Sequence, residues 1–206
     1  MEPIEPEETI EPIMPNIESV GRMIHREMDI MVVSYGGSSC NTLVNVLQTQ
    51  GYRCYTGGWR RIFCHCPKYI ECKVPVIYIY DNPIRAFCSI RRRGKGTYDQ
   101  NQQKLSNNKN VKLSDENLLT LMINQFHEWT NKQRDNVLII KTEELFQDEI
   151  VEKLNHFLKK EIVGFPIEYK KPRTDIKKYT KQNSELFEKY KEELDAIINF
   201  QPYELL

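Results

Sequence analysis

The side chains best suited to chemistry fall into three short stretches. Gly36-Gly37-Ser38-Ser39-Cys40-Asn41-Thr42 joins glycines to small polar residues. Such a segment offers backbone N–H groups and hydroxyls to an anion, and ahead of a helix it adds the positive end of the helix dipole. His65 stands in Phe63-Cys64-His65-Cys66-Pro67, and an imidazole titrating near neutrality suits general base catalysis. Asp81-Asn82-Pro83 leads through Arg85 to Ser89, with Arg91-Arg92-Arg93 beyond. A guanidinium binds phosphate in a fork, so Arg85 and that run are candidate anion ligands. Cys54, Cys64, Cys66 and Cys72 cluster without the paired C-x₂-C knuckles of a zinc site. Buried thiols are therefore expected, and no metal. His25, His127 and His156 lack any such context and read as structural or solvated.

The surrounding segments predict what holds these residues. Ile30-Met31-Val32-Val33 is a continuous apolar run, as in a strand buried on both faces. The Gly-rich turn follows it. Residues 41–50 then read as a helix carrying Leu43, Val44 and Leu47 on one stripe and stopped by Gly51. Strand, Gly-rich turn and helix in that order make a phosphate loop, although the Gly-Lys-[Ser/Thr] of a Walker A motif is missing. Residues 61–66 read as a short second strand. Residues 74–80 (VPVIYIY) make a clearer one with Pro75 near its start, and residues 137–140 make a third.

Asn82 and Pro83 signal the start of a helix running to Arg93, and Ser114 caps another bearing Leu118, Leu119, Met122, Phe126 and Trp129. Residues 150–158 and 181–198 read as further helices, the last with Leu186, Tyr190, Leu194 and Ile197 inward. Residues 94–113 are polar and without periodicity, so a mobile lid or disordered insertion is expected there, a natural place for substrate selectivity. Strands alternating with helices imply an α/β fold of P-loop type: a three-layer sandwich with a central parallel sheet flanked by helices. Its ligand crevice lies at the carboxyl ends of the strands, where Gly36–Thr42 and Asp81–Ser89 both fall.

The same segments resemble, in order, the nucleotide-dependent sulfotransferases. Ser34-Tyr35-Gly36-Gly37-Ser38-Ser39-Cys40-Asn41-Thr42-Leu43 looks like that family's T-Y-P-K-S-G-T-T-W-L loop, which cradles the 5′-phosphosulfate of the donor PAPS. Phe63-Cys64-His65-Cys66-Pro67 stands where cytosolic members have K-T-H-L-P, whose histidine is the catalytic base. Val76-Ile77-Tyr78-Ile79-Tyr80-Asp81-Asn82-Pro83 to Ser89 follows the spacing of V-I-Y-I-A-R-N-P-x-D-x-x-x-S, whose arginine and serine hold the 3′-phosphate. Val137 to Leu145 resembles the later strand ending in Y-E-D-L. The resemblance spans roughly residues 30–158 and implies sulfuryl transfer from PAPS to a hydroxyl or amine on a small-molecule or glycan acceptor.

On that resemblance His65 is the base, whose removal would cost roughly 10²–10⁴-fold in rate. Gly36, Gly37, Ser38, Ser39, Cys40, Asn41 and Thr42 form the donor cradle, and Arg85 with Ser89 meets the 3′-phosphate. The pattern also departs from the family. The loop lysine is replaced by Gly37 and the 3′-phosphate arginine by Asp81, so the donor site is reworked, and Arg85 or the Arg91-Arg92-Arg93 run would restore the lost charge. The C-terminal R-K-G clamp has its nearest counterpart in Lys171-Pro172-Arg173-Thr174. Two other readings remain open: a small-molecule P-loop kinase with Asp81 recruited to a metal, and a catalytically inactive nucleotide- or partner-binding protein on the same fold.

Composition narrows the classes. Lys plus Arg and Asp plus Glu both number 29 in 206 residues, so net charge gives no support for a general nucleic-acid or acidic-membrane binder. Arg91-Arg92-Arg93-Gly94-Lys95 reads as a solvated helix end. Hydrophobic and charged fractions of 40% and 28% suit a globular domain. Residues 1–28 form an acidic, Pro-rich tail that opens MEPIEPEETIEPIMP, unlike a secretory signal, and residues 29–206 form the domain. No apolar stretch is long enough to cross a bilayer. A cytoplasmic, reducing location is the expectation, with all cysteines as thiols.

Overall fold

The structure, a computed structural model, describes Ile24 and residues 27–54, 64–163 and 176–202. Most of the acidic tail, His25, residues 61–63 of the expected second strand and the Lys171–Thr174 clamp candidate lie outside the described residues.

Three apolar runs become three parallel strands in the order β1-β2-β3: β1 (Met31–Val33), β2 (Val76–Tyr80) and β3 (Val137–Lys141). Met31 pairs with Val76, Val33 with Tyr78, Val76 with Val137 and Tyr80 with Lys141. All residues of β1 and β2 are buried, as are all of β3 except Lys141. Strands covered on both faces need no polar alternation, so their sequences read as unbroken apolar runs.

Side chains alternate across the sheet and sort into two cores. Met31, Val33, Val76, Tyr78, Tyr80, Val137 and Ile139 pack on one face with α2 (Pro83–Arg92), α3 (Lys95–Ser106), α4 (Asp115–Thr130), α7 (Ser184–Lys189) and α8 (Lys191–Ile198). Ile30, Val32, Ile77, Ile79, Leu138 and Ile140 pack on the other with α1 (Cys40–Thr49) and α5 (Glu149–Leu158). The three layers expected from the sequence are present. Among the described residues no helix is long and apolar enough to cross a membrane.

The helix starts follow the chemistry of their caps. Asn82 Oδ1 accepts from the N–H groups of Ile84 and Arg85, with Pro83 in the first turn, and Ser114 Oγ accepts from Asn117 N–H.

Three local expectations are corrected. Residues 95–106 of the stretch read as a lid or disordered insertion form α3, with Tyr98, Asn101, Gln102 and Leu105 buried. Between Tyr98 and Leu105, which join the core, its inward face holds an Asn and a Gln bonded to other segments, so half of the inward positions are polar and the hydrophobic period is broken. Asn101 Nδ2 donates to Tyr35 O at 3.3 Å, and Gln102 Oε1 accepts from Ser114 N–H at 3.1 Å. The single C-terminal helix is instead α6 (Ile176–Gln182), α7 and α8. Its breaks at Asn183 and Tyr190 turn Phe187 inward against Phe87, edge to face at 5.4 Å. Cys64 and His65 lie in a helical turn rather than a strand.

Candidate functional site

The loop from β1 into α1 is tied down from several sides. Ser34 N–H donates to Cys64 O at 2.8 Å, which brings the His65 segment alongside the end of β1. Tyr35, fully buried, donates its hydroxyl to Asp81 O and accepts Asp81 N–H at 2.9 Å, joining the loop to the end of β2. Burial, and then the nearby Asp81, hold the Tyr35 phenol protonated well above its ordinary range. Thr142 Oγ1, just past β3, sits within hydrogen-bond distance of Ser38 O (3.1 Å) and Tyr80 O (3.0 Å). The ends of all three strands therefore meet at this loop.

Its backbone takes left-handed conformations at Gly36 (φ 97°), Gly37 (φ 72°) and Ser39 (φ 59°). A Cβ on Gly36 would strike Asn101 Nδ2 and lie 3.4 Å from His65 Cε1. On Gly37 it would lie 2.7 Å from Ala86 O. The loop is thus pressed on α2 at a residue between Arg85 and Ser89, and any side chain at position 37, lysine included, is excluded from this backbone path.

Among the described residues, the N–H groups of Gly37, Ser38 and Ser39 have no acceptor. Ser38 is 1% exposed and its Oγ likewise has no partner. A buried hydroxyl left so costs about 1–3 kcal/mol. Three successive open N–H groups and an open hydroxyl at the start of a ten-residue helix are a ready anion site.

His65 is 7% exposed, and its Nδ1 lies 2.9 Å from Ser34 O. A carbonyl only accepts, so Nδ1 carries the hydrogen and the neutral ring keeps its lone pair on Nε2. Gln125 braces the same carbonyl: its Nε2 donates to Ser34 O (3.3 Å) and Cys66 O (2.8 Å), and Trp129 Nε1 also donates to Cys66 O (3.0 Å). Asn101 and Gln125 were not legible as site residues. The one available signal was a glutamine within the apolar stripe of α4.

The structure brings Gly36, Gly37, Ser38 and His65 together beside α2, which carries Arg85 and Ser89. Cys40 is buried at the first turn of α1, whereas Asn41 and Thr42 are exposed. Ser89 is half-buried, and its side chain makes no hydrogen bond among the described residues. Arg85 is already engaged: its guanidinium pairs with Asp81 Oδ1, with Nε at 2.9 Å, and reaches Glu143 Oε1 at 3.1 Å. Burial raises the Asp81 carboxyl above its ordinary range against the pull of Arg85 and the Asn82 N–H. Burial also works against the Arg85 charge, but Asp81 and Glu143 outweigh it and hold its proton more tightly.

Burial pushes the Cys54 and Cys66 thiols up to about 12. Among the described residues, no group of three or more His, Cys, Asp or Glu side chains could hold a metal ion. Compared with known proteins, the chain matches no family model, no curated protein and no solved structure.

Proposed function

We propose that the chain is a sulfotransferase-like enzyme that moves a sulfuryl group from PAPS to a hydroxyl or amine acceptor, with a reworked donor site. The observation that carries this reading is the open cradle of Gly37, Ser38 and Ser39 N–H groups with Ser38 Oγ, beside a histidine whose Nδ1 is anchored. In the reaction the acceptor's O–H or N–H proton passes to His65 Nε2 as its heteroatom bonds to sulfur. The bond from sulfur to the donor's phosphate oxygen breaks, and PAP leaves with that oxygen's charge in the cradle.

A second reading, a binding protein without catalysis, is favoured by Arg85. Its charge is held by Asp81 and Glu143, so a 3′-phosphate would have to compete for it. Those same contacts weaken a kinase role for Asp81, whose Oδ1 takes both Arg85 and the Asn82 N–H.

The test is a thermal-shift titration with PAP, PAPS and ATP, each with and without Mg²⁺. PAP and PAPS should stabilise without metal, by about 2.7 kcal/mol at a hundredfold excess over Kd, or roughly 5–10 °C. Ser38→Ala should leave the unliganded protein as stable or about 1 kcal/mol more so, since it removes an unsatisfied hydroxyl, while shrinking the nucleotide shift. Stabilisation by ATP with Mg²⁺ alone would replace this proposal with a phosphotransferase. Silence from all three ligands would leave the binding protein.

A further inference from the structure

We propose that the cavity at the carboxyl ends of β2 and β3 is a second small-molecule site, for a protonated amine that also carries hydroxyls, of which an amino sugar is the simplest kind. The cavity has a volume of about 690 Å³ and is lined by no residue of the Gly36–Thr42 loop. That volume lies within the roughly 300–1,000 Å³ of ligand pockets. Phe200 and Pro202, with the buried Tyr80 packed edge to face behind Phe200 at 6.0 Å, form an apolar wall. The same lining includes Gln147 and Gln201, whose amides both donate and accept. Apolar side chains together with groups of both hydrogen-bonding kinds match a ring with one apolar face and a rim of hydroxyls.

Charge selects the amine. The lining holds the carboxylates of Glu143, Glu144 and Glu152 against the ammonium groups of Lys141 and Lys153, three against two. Both lysines have partners within the lining: Lys153 Nζ lies 2.6 Å from Glu144 Oε2, and Lys141 Nζ lies 3.7 Å from Glu143 Oε2 and donates to Ile198 O. Glu143 meets Arg85 through its other oxygen. Glu152 makes no ion pair among the described residues. An anionic ligand would meet paired lysines and an excess carboxylate, whereas an ammonium group complements Glu152. The site stands on its own residues and does not depend on the sulfuryl-transfer reading.

Titration calorimetry of the full chain with glucosamine, N-acetylglucosamine and glucose 6-phosphate tests it. Glucosamine should bind roughly tenfold or more tightly than either of the others, as expected when one charge-assisted hydrogen bond separates them. Glu152→Gln should weaken glucosamine about five- to tenfold, whereas Glu188→Gln, on α7 and outside the cavity, should not change it. Glu152 is exposed, so its replacement leaves the fold intact. Equal affinity for the acetylated sugar, tighter binding of the phosphate, indifference to Glu152→Gln, or no binding of any probe at millimolar concentration would each overturn the proposal.

Discussion

Two glycines with similar backbones separate conformational cost from contact cost. Gly37 (φ 72°) and Gly51 (φ 83°) both occupy the left-handed region, but a Cβ on Gly37 meets Ala86 O at 2.7 Å while one on Gly51 meets nothing within 4 Å. Gly51→Ala should therefore cost only the roughly 1–2 kcal/mol of the backbone conformation. Gly37→Ala adds about 1–3 kcal/mol of crowding and should lose ~2–5 kcal/mol in all. Urea melts of the two variants measure the difference, and equal losses would show that the loop stands off α2. Ser38 extends the argument: a buried hydroxyl without a partner marks a residue retained for something other than stability.

At the scale of elements, β1 is anchored where it begins. Asp29, just ahead of it, accepts Arg53 N–H at 2.8 Å and the Arg53 guanidinium at 2.7 and 3.1 Å, fastening the chain after α1 beneath the strand. The Arg53 side chain holds the Asp29 carboxyl below its ordinary value of 3.8; burial, the next-largest effect, opposes it, and the Arg53 backbone N–H adds to the lowering. The folded value lies below the unfolded one, so the contribution is fully present above 3.8 and is lost as pH falls through the folded value. The pair is more than a third exposed, which limits it to about 1 kcal/mol or less. Asp29→Asn should thus lower stability slightly and equally at pH 7 and pH 5, and the difference should close below 3.8. Urea melts at several pH values read it, and a difference persisting at lower pH would place the effect outside this carboxylate. α3 teaches the complementary lesson, because its inward polar residues find partners across the fold that no local pattern announces.

The whole molecule is two cores divided by one sheet. Ile90 on α2 belongs to one and Ile150 on α5 to the other, both with at most 1% exposure. Ile90→Val and Ile150→Val should each cost about 1 kcal/mol, and the double variant their sum within ~0.5 kcal/mol. A double-mutant cycle checks this, and a larger coupling would mean that the strands transmit strain between the layers. The sequence by itself determined the three apolar strands, the caps at Asn82 and Ser114 and the Gly-rich turn, because apolar continuity, cap chemistry and left-handed glycine are properties of neighbouring residues; it misplaced a strand at residues 61–66, where Cys64 and His65 form a helical turn. The tertiary structure alone decided that Asn101 closes over Gly36, that Gln125 braces the carbonyl holding His65, and that Arg85 turns to Asp81 and Glu143. It also decided that a cavity opens beside β3. The bonds from Asn101 to Tyr35, Gln125 to Ser34 and Arg85 to Glu143 join residues 66, 91 and 58 positions apart. A polar side chain's partner is set by which elements cross above it, and no local period records that crossing.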